Sequence, residues 1–78
     1  MSDKTIAERL QEEENTLTRA ERQLSHVILK NYPVSGLGTI TTLAEAAEVS
    51  TPTVARLVQK LGYNGFPDFQ ASLRRELD

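Results

Sequence analysis

Two short helical patterns, separated by only three residues, constrain the fold of this chain more than any other feature. Apolar residues keep the i, i+3, i+4, i+7 spacing of one helix face in both patterns: Ile40, Leu43, Ala44 and Ala47, then Val54, Leu57, Val58 and Leu61. Residues 48–50 between them are enough for a sharp turn and too few for a flexible linker. Small Ala44 and Ala47 let two steeply crossing helices approach closely. The stretch 39–61 therefore predicts a helix-turn-helix, the motif that sets its second helix in the major groove of DNA.

Two further helices are predicted before this motif. The first runs from about residue 5 to residue 14, with Ser2 or Asp3 as its cap. The second begins after Thr18, because Glu21 follows three residues later and completes a capping box. It ends near residue 32, since the residue before a proline is pushed out of helical geometry. Its single histidine, His26, lies opposite the apolar stripe, so we expect a solvent-exposed side chain.

Caps and breakers set the limits of the last three helices. Thr39 is expected to cap a helix over residues 40–47, and Ser50 caps the next, which has a proline in its first turn. That helix ends at residue 61, because Gly62 supplies the left-handed residue that closes a helix. Pro67 begins the fifth helix. The predicted fold is an all-α, five-helix bundle with a homeodomain-like three-helical core, in one domain.

Composition excludes several classes of function. The 78 residues contain no cysteine and one histidine, so neither a disulfide framework nor a thiolate or paired-histidine metal site is available. No spacing would assemble a catalytic set of side chains, and we predict no enzyme, no metal and no cofactor. An apolar run long enough to span a bilayer is absent, as is a signal-peptide core. The expectation is a soluble, cytoplasmic protein.

The charge balance complicates a DNA-binding interpretation. The formal net charge is -2, with -3 in residues 1–49 and +1 in residues 50–78, whereas DNA-binding domains usually carry a basic patch. The acidic run at residues 12–14 is explained as a solvated helix face. Acidity also leaves an alternative open, a helical protein-interaction module without DNA binding. If the chain binds DNA, its low positive charge favours action as a dimer.

One face of the predicted fourth helix carries the residue types that DNA recognition uses. Arg56 can contact guanine and Gln59 can contact adenine, each through two hydrogen bonds. Hydroxyls near the helix N-terminus can meet a phosphate, and small Ala55 permits close approach to base edges. The predicted DNA-binding residues are Ser50, Thr51, Thr53, Ala55, Arg56, Gln59 and Lys60.

The chain resembles the N-terminal domain of the RpiR family of bacterial transcriptional regulators. The similar elements are Ile40-x-x-Leu43-Ala44, Val49-Ser50, Thr53-Val54-x-Arg56-Leu57, Lys60-Leu61-Gly62-Tyr63 and Gly65-Phe66-x-x-Phe69. The last two are the narrower motifs. One departure is Glu48, which occupies a turn position where such motifs often have glycine; a positive φ there would cost roughly 1 kcal/mol.

The resemblance implies a functional setting. Family members join an all-α DNA-binding domain to a C-terminal sugar-isomerase-like (SIS) domain that binds a phosphosugar effector, and they repress or activate sugar-catabolic genes. On this basis residues 1–78 form the N-terminal helix-turn-helix domain, and the SIS domain is absent from this chain. The implied partners are operator DNA, a second copy of the full-length protein and a phosphosugar bound by the missing domain. No membrane partner is implied.

Overall fold

The computed structural model describes residues 4–32 and 37–77, and every regular element in these ranges is helical. A short 3₁₀ turn, Glu14–Thr16, follows the first helix. The five α-helices are α1 (Ile6–Glu12), α2 (Arg19–Lys30), α3 (Ile40–Ala47), α4 (Thr51–Lys60) and α5 (Phe66–Leu77). The connector predicted at residues 34–38 falls mostly outside the described residues. Among the described helices, none combines the length and apolarity needed to cross a membrane.

The first helix differs from the prediction at both ends. Thr5 caps α1: its hydroxyl accepts from the Glu8 backbone N–H at 3.1 Å, and the Glu8 carboxylate accepts from the Thr5 N–H at 2.9 Å. The predicted caps, Ser2 and Asp3, lie outside the described residues. At the other end α1 stops at Glu12 instead of residue 14, because the chain tightens into the 3₁₀ turn that brings Leu17 into the core.

Helices α2, α3 and α4 pack on one another as the core of the motif, and α5 packs against α4. Their buried side chains form one apolar cluster: Ile6, Leu10, Leu17, Leu24, Ile28, Leu43, Ala44, Ala47, Val54, Leu57, Val58, Leu61, Phe69 and Leu73. All eight apolar positions of the two helical patterns are buried except Ile40, which is partly buried. The all-α class and the three-helical core are confirmed.

The central helices begin where predicted, and α3 also ends there, while α2 ends at Lys30 and α4 at Lys60, two and one residues before their predicted ends. Thr39 and Ser50 each accept a hydrogen bond from the backbone N–H three residues later, and Thr18 and Glu21 form the predicted capping box. Helix α5 begins one residue earlier than expected, at Phe66. These caps fix where α4 starts and therefore which of its side chains face outward.

The turn between α3 and α4 contains a strained residue. Glu48 has φ 59° and ψ 41°, and no other described residue apart from glycine has positive φ. The Val49 N–H donates to the Ala44 carbonyl at 2.9 Å, which closes the end of α3. The backbone therefore adopts the sharp turn despite the side chain at this position.

Candidate nucleic-acid interface

Helix α4 turns two rows of exposed residues away from the core. Because side chains four apart in a helix lie above one another, Thr51, Ala55 and Gln59 form one row, and Pro52 and Arg56 form the next. All five are exposed, whereas Thr53, Val54, Leu57 and Val58 face inward. We call these five exposed residues the outer face. At ten residues, α4 is about 15 Å long, a length that suits the major groove.

Three polar side chains connect the start of α4 to this outer face. Ser50 caps the helix, and its hydroxyl lies 3.0 Å from that of Thr53. Arg56 Nη2 donates to the Thr53 hydroxyl at 3.4 Å. Thr53 itself is only 5% exposed. The structure thus places Ser50 at the helix N-terminus and Arg56 outside, while Thr53 lies beneath the surface between them.

Lys60 continues the row of Pro52 and Arg56, but its side chain turns toward α2. Its Nζ lies 2.6 Å from Glu21 Oε1 of α2 and donates to the Thr16 carbonyl at 2.8 Å. Glu21 is 1% exposed, so this pair joins the C-terminal end of α4 to α2. The prediction set Lys60 at the margin of the DNA-facing side, and a buried carboxylate holds its charge there.

Two effects act on the Glu21 carboxyl. Burial alone would raise its pKa, since a charged group loses hydration in the interior. The hydrogen bond from Lys60 and the backbone N–H of Thr18 favour the ionised form more strongly, and the pKa lies below its ordinary value of 4.5. Glu21 is therefore ionised near neutral pH, and it neutralises one of the two cations of α4, Lys60.

A second set of contacts holds the C-terminal end of α4. Arg9 Nη1 donates to the Leu61 carbonyl at 2.9 Å, and its guanidinium lies over the Tyr63 ring, 5.3 Å from the centroid. Tyr63 meets Phe69 edge to face. Gly62 permits this arrangement with φ 100°. Helix α1 and helix α5 thus clamp one end of α4 and leave its outer face uncovered by any other described element.

The distribution of charged residues around α4 favours binding of a polyanion such as DNA. No acidic residue occurs between Glu48 and Asp68, while Arg56 and Lys60 lie in that interval. Many of the carboxylates are instead on α1 and the 3₁₀ turn. The net negative charge of the chain is therefore not spread over the candidate interface.

Comparison with known proteins agrees with this geometry. The family model described as a helix-turn-helix domain of the rpiR family matches residues 4–78. The chain belongs to this family. The HTH-type transcriptional regulator HexR of Pseudomonas aeruginosa is 36% identical over 74 residues, which cover 95% of this chain and 26% of that protein. The regulator of the same name in Escherichia coli is 34% identical over 72 residues, 92% of this chain and 25% of that protein. No solved structure matches the chain.

Similarity also extends to proteins of a different overall type. The bifunctional protein glk of Paraburkholderia xenovorans is 37% identical over 73 residues, 92% of this chain but 11% of that protein. The shared part is thus the helix-turn-helix portion alone. The chain spans about a quarter of the length of the HexR regulators. A DNA-binding domain of a transcriptional regulator is the class that family and geometry support together.

Proposed function

We propose that α4 is the recognition helix of a sequence-specific DNA-binding domain. The observation that carries this proposal is the outer face itself: in an rpiR-family helix-turn-helix, Arg56 and Gln59 are exposed one turn apart on the helix that follows the sharp turn. Two side chains that can each make paired hydrogen bonds with a purine suit base recognition in the major groove.

Four residues of this face and the cap Ser50 have distinct proposed roles. Arg56 reads a guanine and Gln59 reads an adenine, while Ala55 lets the helix backbone approach the base edges. Ser50 and Thr51, through their hydroxyls and the Thr51 backbone N–H, hold a phosphate at the N-terminus of α4. Thr53 and Lys60 are not included among the direct contacts, because Thr53 is buried and Lys60 is paired with Glu21.

The proposal extends to the full-length protein. A dimer would place two recognition helices about 34 Å apart, one turn of DNA, and would double a weak single-site interaction. The family resemblance supports a C-terminal phosphosugar-binding domain and control of sugar or phosphosugar metabolism genes. A bacterial regulator that binds its operator in this way would act in the cytoplasm.

Selection from a random duplex library followed by fluorescence anisotropy tests the DNA-binding function. We expect the 78-residue chain to enrich a preferred duplex. Arg56→Ala should weaken binding to it about 5- to 150-fold and relax the preference at one base pair, since a paired guanine contact is worth about 1–3 kcal/mol. Arg22→Ala is the matched control: it removes the same charge from α2, where Arg22 donates to the Glu14 carbonyl.

The alternative, a protein-interaction module without DNA binding, makes a different prediction. The acidic face of α1 favours it, because this segment exposes Glu8, Glu12 and Glu14 to solvent and leaves Glu13 partly exposed. Such a module would enrich no duplex. Equal binding of the wild-type chain and Arg56→Ala to every sequence would also support it.

A further inference from the structure

Thr53 occupies an unusual position for a hydroxyl in a recognition helix. Its side chain is 5% exposed, yet its oxygen lies between two others of functional interest, 3.0 Å from Ser50 Oγ and 3.4 Å from Arg56 Nη2. The three residues are spaced i, i+3, i+6, so they follow one edge of α4. A short series of hydrogen bonds therefore leads from the helix cap to the guanidinium.

The donor and acceptor pattern of this series is consistent. Ser50 Oγ accepts from the Thr53 backbone N–H, and its second lone pair can accept the Thr53 hydroxyl hydrogen, which leaves the Ser50 O–H free to donate to a phosphate. Thr53 Oγ1 in turn accepts from Arg56 Nη2 through one of its two lone pairs. Four of the five N–H groups of Arg56 then stay available, since within the described residues this is the hydrogen bond that its side chain makes.

We propose that Thr53 is a positioning residue for sequence recognition: its buried hydroxyl holds the Arg56 guanidinium in the orientation that reads a base. This inference rests on the proposed DNA-binding function and adds a residue that does not touch DNA. Restricting a long side chain before binding lowers the entropy lost on binding, so the effect appears in affinity for the preferred base. It also explains why a polar residue occupies an otherwise apolar row of α4, beside Val54 and Leu57.

The matched variants separate the hydroxyl from the space it fills. Thr53→Val keeps the volume and removes the acceptor, whereas Thr53→Ser keeps the acceptor and removes the methyl group. The probe is the duplex selected by the wild-type chain, together with its single-base variants. Arg56→Ala and Gln59→Ala first identify which base pair each side chain reads.

We expect Thr53→Val to weaken binding to the selected duplex about 3- to 10-fold and to flatten the preference at the base pair assigned to Arg56. The preference at the base pair assigned to Gln59 should persist, which general damage to the helix would not allow. Thr53→Ser should retain both preferences. Independently of DNA, the ¹⁵N heteronuclear NOE of the Arg56 Nε–Hε group should fall in Thr53→Val and not in Thr53→Ser.

Three results of the binding assay with the Thr53 variants would overturn the inference. One is a Thr53→Val variant that keeps the wild-type preference at the Arg56 base pair; another is equal loss at both base pairs; the third is a Thr53→Ser variant that behaves like Thr53→Val. If the wild-type chain selects no duplex, the proposed function fails, and the specificity role of Thr53 fails with it. If the wild-type chain does select a duplex but the Arg56 NOE is the same in all variants, the positioning role of Thr53 fails and the DNA-binding function stands.

Discussion

The ends of α3 and α4 provide an internal comparison between glutamate and glycine in the same backbone role. Just beyond each helix, a backbone N–H bonds back to a carbonyl five residues earlier. Val49, two positions beyond α3, donates to Ala44 at 2.9 Å, and Tyr63, three positions beyond α4, donates to Val58 at 3.2 Å. The residue before each donor has positive φ, 59° at Glu48 and 100° at Gly62. Removing the side chain at Glu48 and adding one at Gly62 should therefore have opposite effects on the free energy of unfolding.

The magnitudes follow from two opposing terms. A residue with a Cβ in the left-handed region costs roughly 1–2 kcal/mol, and glycine loses about 0.5–1 kcal/mol more than alanine through the entropy of the unfolded chain. Glu48→Gly should thus raise the free energy of unfolding by about 0.5–1 kcal/mol relative to Glu48→Ala. Gly62→Ala should lower it by at least as much, because the added Cβ would also lie 3.3 Å from Arg9 Nη1.

Urea unfolding followed by circular dichroism at 222 nm measures both changes. In a domain of this size, 1 kcal/mol corresponds to about 4–8 °C in Tm. Glu48→Ala is the control, since it removes the carboxylate at the end of α3 and keeps the Cβ. Equal stability of Glu48→Gly and Glu48→Ala would contradict the expected gain, because it would mean that the backbone strain at this turn does not exceed the entropy that glycine costs.

Three further outcomes test the contacts around α4. Lys60→Met should destabilise the fold clearly more than Lys4→Met, measured by urea unfolding, because Lys60 pairs with a 1% exposed carboxylate while Lys4 pairs with exposed Glu12. Since the pKa of Glu21 is lower in the folded state, its stabilisation is present above about pH 4.5 and is lost as the pH falls through the lowered pKa; Tm measured against pH should show a smaller acid loss in Glu21→Gln. Tyr63→Phe should cost about 1 kcal/mol by leaving the Ser72 hydroxyl without its partner at 3.1 Å, and adding Ser72→Ala should restore much of that in a double-mutant cycle.

Local rules predicted the centre of this fold well. Both patterns of apolar residues in the motif lie in the core, and the caps at Thr18, Thr39 and Ser50 all form. These features depend on neighbours within four residues, so the sequence contains nearly all the information that determines them. The positive φ at Glu48 also follows from the turn that three linking residues require.

The start of α1 was predicted wrongly because several residues there could act as caps. Thr5 and Glu8 have the same capping-box spacing as Thr18 and Glu21, whereas neither Ser2 nor Asp3 has a Glu or Gln three residues later, so the sequence did contain the signal for this cap. A distant partner adds to it: the Ile6 N–H donates to Glu76 at 3.0 Å, which satisfies a first-turn donor from the other end of the chain. Sequence spacing carries no information about such a contact.

In the candidate site, too, the local pattern predicted some positions and tertiary contacts determined the others. Helical periodicity placed Arg56 and Gln59 on the outer face, where they are exposed. It placed Lys60 and Thr53 at the margins of that face, where a side chain can point either toward solvent or toward a neighbouring helix. Tertiary structure settles both: the buried Glu21 carboxylate holds Lys60 against α2, and packing buries Thr53. A buried charge is rare without a partner, so the burial of Glu21 was the missing information.

The ion pair of Lys60 has a consequence for DNA binding by a single domain. With Lys60 neutralised by Glu21, the unpaired cation of α4 is Arg56, and the cap at Ser50 binds phosphate through neutral groups. Affinity for DNA falls with salt by a log–log slope of about -0.9 per phosphate neutralised, and Arg56 is assigned to a base, so the single chain should give a slope no steeper than about -1. The same measurement on a covalently linked tandem of two chains should give about twice that slope. A slope of -4 or steeper for the single chain would contradict the inference that α4 supplies the DNA contacts of one domain, because cations outside α4 would then have to contact phosphates.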